Sequence, residues 1–226
     1  MTEAQARKLI VDAAKSYLGF SEASGKHKKI IDLYNTGQKN LPRGYRVGYS
    51  DPWCATFVSA MAIQCGMTDI IPPECSCFYQ IEAFKKLGEW CEDDAHVPHP
   101  GDIIYYDWQD SGTGDNTGAP DHVGIVESCY DERICVIEGN YKDSVERRYI
   151  TVNAKNIRGY GLPDFAKWAK AQGEEKPTDE PWYIKDGSWE EAKRLGLFNG
   201  ERPKDNITRA EAAAVALRVL KLAKEE

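Results

Sequence analysis

Apolar positions repeat first at the helical period. Leu9, Ile10, Ala13, Ala14 and Leu18 fall on one stripe and predict a helix over residues 2–18, and residues 27–36 predict a second. A polar, Gly-containing stretch from Asn35 to Ser50 then leads into "SDPWCATFVSA". Asp51 suits an N-cap, Pro52 the first helical position and Gly66 the C-cap, so a third helix is expected over about residues 52–65. From Asp102 the pattern changes. "DIIYYDW", "HVGIVES", "RICVIEGN" and "ERRYITVN" are short β-branched or aromatic runs separated by turn residues. Helices followed by such a meander predict an α+β domain with an antiparallel sheet.

The compact part is expected to close near "RGYGLPDF", with a short helix after it. "AQGEEKPTDEP", residues 171–181, is polar, charged and carries two prolines, which is linker composition. Beyond it two helices surround a turn, the second opened by a capping box of Thr208 and Glu211. The chain therefore divides into residues 1–170, a linker at 171–181 and a small helical module at 182–226.

Composition narrows the function. Of 226 residues, 42% are hydrophobic and 29% charged, an ordinary globular balance. A net charge of -7 offers no basic face for nucleic acid. No run approaches the ~20 apolar residues that span a bilayer, and the first residues lack the apolar core of a secretory signal. The expectation is a protein made in the cytoplasm, without membrane or nucleic-acid partners. Seven cysteines without a signal suggest reduced thiols. Cys65, Cys75, Cys77 and Cys91 with His96 and His99 make a poor zinc set, because Cys-x-Cys is not the usual ligand spacing and no second pair follows. Burial as small apolar residues is expected for these four cysteines.

Cys54 and Cys65 mark the two ends of the third helix. In the first turn, free N–H groups and the positive end of the helix dipole favour a thiolate at Cys54, while the far end disfavours one at Cys65. Cys54 also fits an apolar stripe with Val58, Met61 and Cys65, so a nucleophile needs a base elsewhere. His122 opens the strand "HVGIVE". With the hairpin centred on Tyr130, counting outward sets His122 opposite Glu138 and diagonal to Asn140. Either side chain could accept one imidazole N–H and leave the other ring nitrogen to the thiol.

"DPWCATFVSAMAIQCG", "HPGDIIYYDW", "DHVGIVES" and "VIEGN", in this order, resemble the CHAP family of cysteine- and histidine-dependent amidohydrolases/peptidases over roughly residues 5–165. These are papain-like wall-degrading enzymes, common as catalytic domains of phage endolysins. The resemblance implies Cys54 as nucleophile, His122 as base, and Glu138 and Asn140 at the acidic and amide positions. It implies peptidoglycan as substrate, through amide cleavage at the muramoyl–L-alanine link or within the peptide, after release of the enzyme to the wall. Trp53 and Trp108 are candidates for the cleft wall, with burial in the core as their alternative. The Asp-rich calcium loop of some relatives has no counterpart in "RGYRVGYSDPW", so no cofactor or metal is implied.

Residues 182–222 resemble one S-layer homology module through "WEEAKRLGLFNGERPKDNITRAEAAAVALRV". That implies binding of wall-attached polymers through Trp189, Arg209 and Gly200. Such modules usually occur in threes, so a single copy implies weak binding or self-association. The competing readings are a wall-binding protein without catalysis, and a cysteine amidase for another substrate such as an interbacterial toxin's target.

Overall fold

The computed structural model describes residues 1–110 and 116–172. The expected module at 182–226, with Trp189, Gly200 and Arg209, lies outside the described residues, as does the expected linker beyond Gln172.

The described helices are α1 (Glu3–Ser16), α2 (Lys28–Thr36), α3 (Cys54–Gln64), α4 (Cys77–Leu87) and α5 (Phe165–Ala171). The strands are β1 (Trp90–Cys91), β2 (Ile103–Tyr106), β3 (His122–Tyr130), β4 (Arg133–Tyr141), β5 (Ser144–Thr151) and β6 (Ile157–Gly161). All six strands form one antiparallel sheet in the order β1-β6-β2-β3-β4-β5. This is the expected α+β, papain-like arrangement of helices and antiparallel sheet.

Helix α1 starts with a capping box, in which the Thr2 hydroxyl accepts from the Gln5 N–H and the Gln5 side chain accepts from the Thr2 N–H. Its buried stripe is Ala6, Ile10, Val11, Ala13 and Ala14, whereas Leu9, expected on that stripe, is 38% exposed. One residue is a 100° turn, so a stripe centred on Ile10 leaves Leu9 at its margin. Helix α4 and strand β6 have no counterpart among the predicted elements.

The sheet is buried on both sides near its centre. Ile103, Tyr105, Val123, Ile125 and Ile137 pack with α1 and α3, while Ile104, Tyr106, Val126, Val136 and Tyr160 build a second cluster. Helix α3 is the hub, since every residue from Cys54 to Ala62 is buried. It is apolar all round rather than along one stripe, as expected of a helix inside a domain. Gly139 permits its contact with β4, because a Cβ there would lie 2.3 Å from Phe57 Cβ and 3.0 Å from Trp53 Cζ3. All seven cysteines are free thiols. Of the four expected to be buried, only Cys77 is; Cys65, Cys75 and Cys91 are half-buried, at a helix end, in a loop and on an edge strand.

Candidate active site

Asp51 does not cap α3. Its carboxylate accepts from the Gly48 N–H at 2.7 Å and the Tyr45 hydroxyl at 2.8 Å, and so is committed to the preceding loop. The helix begins two residues later than the sequence suggests, at Cys54, with Trp53 as a cap that supplies no side-chain bond. The first helical hydrogen bond runs from Phe57 N–H to the Trp53 carbonyl at 2.9 Å. The N–H groups of Cys54, Ala55 and Thr56 therefore have no carbonyl within the helix. That of Ala55 helps to lower the Cys54 pKa.

His122 opens β3, and the hairpin that carries it differs from the simple count. Strands β3 and β4 turn through two residues, Asp131 and Glu132, both at positive φ (46° and 61°). Such a pair closes a tight hairpin that matches strand twist. A bulge between Val126 and Ser128 then shifts the register, and the ladder reaches Ile125 opposite Ile137. Continued by the same step, it sets Gly124 against Glu138 and His122 against Asn140, the reverse of the expected opposite and diagonal partners. The correction is an even number of residues, so all three stay on one face of the hairpin.

The diagonal partner is the one that binds. Glu138, fully buried, accepts from His122 Nε2 at 3.0 Å, reaching across Gly124, where a Cβ would lie 2.7 Å from Glu138 Cγ. The Cys54 sulfur and the same imidazole interact, each shifting the other's titration. With Nε2 given to Glu138, Nδ1 is the ring nitrogen left for the sulfur. Asn140 is half-buried at φ 57°, where the β4–β5 register breaks, and makes no described hydrogen bond to His122.

Arg148 on β5 completes the chain. Its Nε donates to both Glu138 oxygens, at 2.7 and 2.9 Å. Its guanidinium lies 3.9 Å from the Tyr141 ring centroid and 4.8 Å from that of Trp108. Trp108 stacks on Tyr106 at 4.9 Å, and both rings flank His122, at 6.3 and 6.0 Å respectively. At 38% exposure, Trp108 presents an aromatic surface beside the imidazole. Trp53 does not. It is fully buried, with its indole N–H bonded to Glu22 at 3.0 Å, and belongs to the core. The expectation that Trp53 lines the cleft is corrected accordingly.

The charges support one another. The Cys54 thiol is held well below its ordinary range by hydrogen bonds from Cys77 and His122, which outweigh burial. Cys77, whose sulfur lies 3.9 Å from that of Cys54, is pushed well above its range by that same bond and by burial. Burial alone would lower the pKa of His122; hydrogen bonds to Cys54 and Glu138 prevail and raise it to about 9. Glu138 is buried, which would raise its pKa, yet His122 and Arg148 keep it below the usual carboxylate range. At the other end of α3, burial lifts Cys65 to about 11. The predicted contrast between the two cysteines is present, although desolvation is what raises Cys65. The pair is thereby biased toward a thiolate beside an imidazolium, steadied by a carboxylate and a guanidinium.

Arg148, Cys77 and Tyr106 were not legible as site residues. For Arg148 the simple count misleads: Lys142 and Asp143, both at positive φ, turn β4 into β5, and counting outward from them sets Arg148 opposite Ile137, whereas the register break between Glu138 and Tyr141 pairs it with Val136, diagonal to Glu138. Cys77 had no signal, because its approach to Cys54 joins two helices distant in sequence. Among the described residues, no group of three or more His, Cys, Asp or Glu is arranged to hold a metal.

The CHAP domain family model matches residues 44–140, a narrower span than the sequence motifs suggest. It takes in Cys54, Trp108, His122, Glu138 and Asn140 and stops short of Arg148. A comparison with curated proteins finds no match. Among solved structures, the crystal structure of Ly7917 and that of Ly7917 with the hydrolyzing product of MDP are each 18% identical, at a TM-score of 0.33. Each comparison covers 59% of this chain and 62% of the other, so the chain spans less than two thirds of that protein's length. From its matched span and the fold that holds it, the chain carries a CHAP domain at residues 44–140.

Proposed function

We propose that the protein is a peptidoglycan hydrolase that cuts an amide bond of the bacterial wall through a thioester on Cys54. The reading rests on the CHAP match together with one observation, the hydrogen-bonded line His122–Glu138–Arg148, whose imidazole interacts with the Cys54 thiol. In this reaction the Cys54 thiolate attacks the amide carbonyl carbon. The free Cys54 N–H at the start of α3 stabilises the oxyanion that forms. His122, as imidazolium, protonates the leaving amine, a role that typically supplies 10²–10⁴-fold in rate. Neutral His122 then takes a proton from water, which attacks the thioester and releases Cys54. Glu138 holds the ring by Nε2 throughout and favours its charged form. Trp108 packs against substrate at the mouth of the site.

The proposal extends to an endolysin role at either the muramoyl–L-alanine bond or a peptide bond of the wall. In that role residues 182–226 add affinity for wall-attached polymers through Trp189 and Arg209, alone or by self-association. The test is clearance of a purified sacculus suspension by wild type and by Cys54→Ala. Wild type should clear the suspension and the variant should not, and mass spectrometry of the released fragments identifies the bond by its new amine. Equal clearance by both proteins would remove the mechanism.

A further inference from the structure

Cys77 is a nucleophilic group at the site that the hydrolytic cycle leaves unused. It is the first residue of α4, as Cys54 is the first residue of α3, so two helix starts converge and present their sulfurs to each other. The sulfurs are 3.9 Å apart and both residues are buried. A disulfide requires roughly 2 Å between sulfurs, so closure needs an approach of about the same distance. The remaining cysteines are placed differently. Cys65 lies at the far end of α3, and Cys75 is engaged with Glu74 and Arg43.

We propose that Cys54 and Cys77 form an oxidation site for a small hydroperoxide, in which Cys77 converts oxidised Cys54 into a reversible disulfide. In the first step the Cys54 thiolate attacks one peroxide oxygen. An S–O bond forms and the O–O bond breaks, so the sulfur is oxidised by two electrons and the peroxide is reduced. The departing hydroxide takes a proton from the His122 imidazolium and leaves as water. In the second step the Cys77 sulfur attacks the Cys54 sulfur. The S–S bond forms, the S–O bond breaks, and the oxygen leaves as a second water with the Cys77 proton. A dithiol returns two electrons and restores both thiols.

The arrangement has a chemical consequence. Without a neighbouring thiol, a sulfenic acid proceeds to sulfinic acid, which reductants do not reverse. A low-pKa thiolate is the form that attacks peroxide, and its position beside a second thiol favours resolution over further oxidation. The effect on activity rests on the proposed hydrolase function, but the sulfur chemistry does not.

The test treats the full chain with hydrogen peroxide and reads intact mass and cysteine-containing peptides, before and after dithiothreitol. Wild type should lose two hydrogens, yield linked peptides containing Cys54 and Cys77, and regain both thiols on reduction. Wall clearance should fall at least tenfold and return with reduction, each protein being compared with its own untreated sample. Cys77→Ser, with Cys77→Ala as a second variant, should instead gain oxygen on Cys54 and stay inactive after reduction. Oxygen gain on Cys54 in wild type without the link, or full recovery of the Cys77 variants, would overturn the proposal. A link formed in a protein that never clears walls would support the redox pair and sink the hydrolase reading. Clearance by a protein that forms no link would do the reverse.

Discussion

Replacing Glu138 by Gln preserves its shape and removes its charge, and so isolates what the carboxylate does for the imidazole. In the native protein Glu138 is fully buried between two cations, His122 Nε2 at 3.0 Å and Arg148 Nε at 2.7 and 2.9 Å. A hydrogen bond to a charged group contributes about 1.5–3 kcal/mol. One pKa unit corresponds to about 1.4 kcal/mol. The carboxylate favours the charged ring, so its loss should move deprotonation of His122 from about 9 downward, by about 1–2 units on those figures. The sign follows for stability too. A raised imidazole pKa contributes stability that is complete below the unfolded value of ~6.5, and loses it as pH rises through about 9. The variant should lose that contribution over a lower and narrower range. Titration of the His122 ring protons by NMR gives the midpoint, and iodoacetamide alkylation against pH reports the Cys54 thiolate. In wall clearance, kcat/KM should fall about ten- to hundredfold, following the same free energy. A His122 midpoint that stays near 9, with Cys54 reactivity unaltered, would refute the assignment of Glu138 as the group supporting the charged ring.

Other substitutions probe the same centre. Arg148→Gln removes a hydrogen-bonded cation that depresses the Glu138 pKa, so Glu138 should protonate at higher pH and the acid limb of the pH–rate profile should move up. The linked stability runs the same way, because a depressed carboxylate contributes above ~4.3 and loses that contribution as pH falls through its folded value. Gly124→Ala places a Cβ 2.5 Å from Val136 Cγ1 and 2.7 Å from Glu138 Cγ. Overpacking of this kind costs about 1–3 kcal/mol, so Tm should fall and kcat with it as Glu138 is pushed off His122. Gly139→Ala meets Phe57 Cβ at 2.3 Å and should separate α3 from β4, lowering Tm further than Gly124→Ala and slowing Cys54 alkylation. Thermal melts and alkylation rates check both glycine variants.

The site was legible where its residues lie close in sequence and share a strand period. His122 and Glu138 were grouped from a hairpin whose turn was misplaced and whose bulge was unseen. The grouping survives because the combined error is even and period-two alternation returns each side chain to the same face. Asp51 shows the opposite case. A residue with good capping chemistry is claimed by the Tyr45–Gly48 loop, a competition no local pattern reveals. Strand β6, "IRGYG", carries two glycines and is buried throughout, so alternation gives no sign of it. Helix α4 did carry a legible stripe in Cys77, Ile81 and Phe84, which the cysteine spacing obscured. What no sequence pattern supplies is the meeting of α3 and α4 at two sulfurs, which depends on how both helices seat against the core.

The His122 imidazole, the Glu138 carboxylate and the Arg148 guanidinium all lie within the two consecutive hairpins from His122 to Arg148, while the Cys54 sulfur arrives on a helix from much earlier in the chain. Those hairpins involve contacts between near neighbours, whereas α3 packs on β3 and β4 across a long stretch of sequence, closely at Gly139, which leaves room for Phe57. Thiol activation is therefore an event of final assembly. A nascent or partly unfolded chain holds an ordinary, unreactive sulfur, and the cell making it meets the sharpened form only once the last surfaces have locked together.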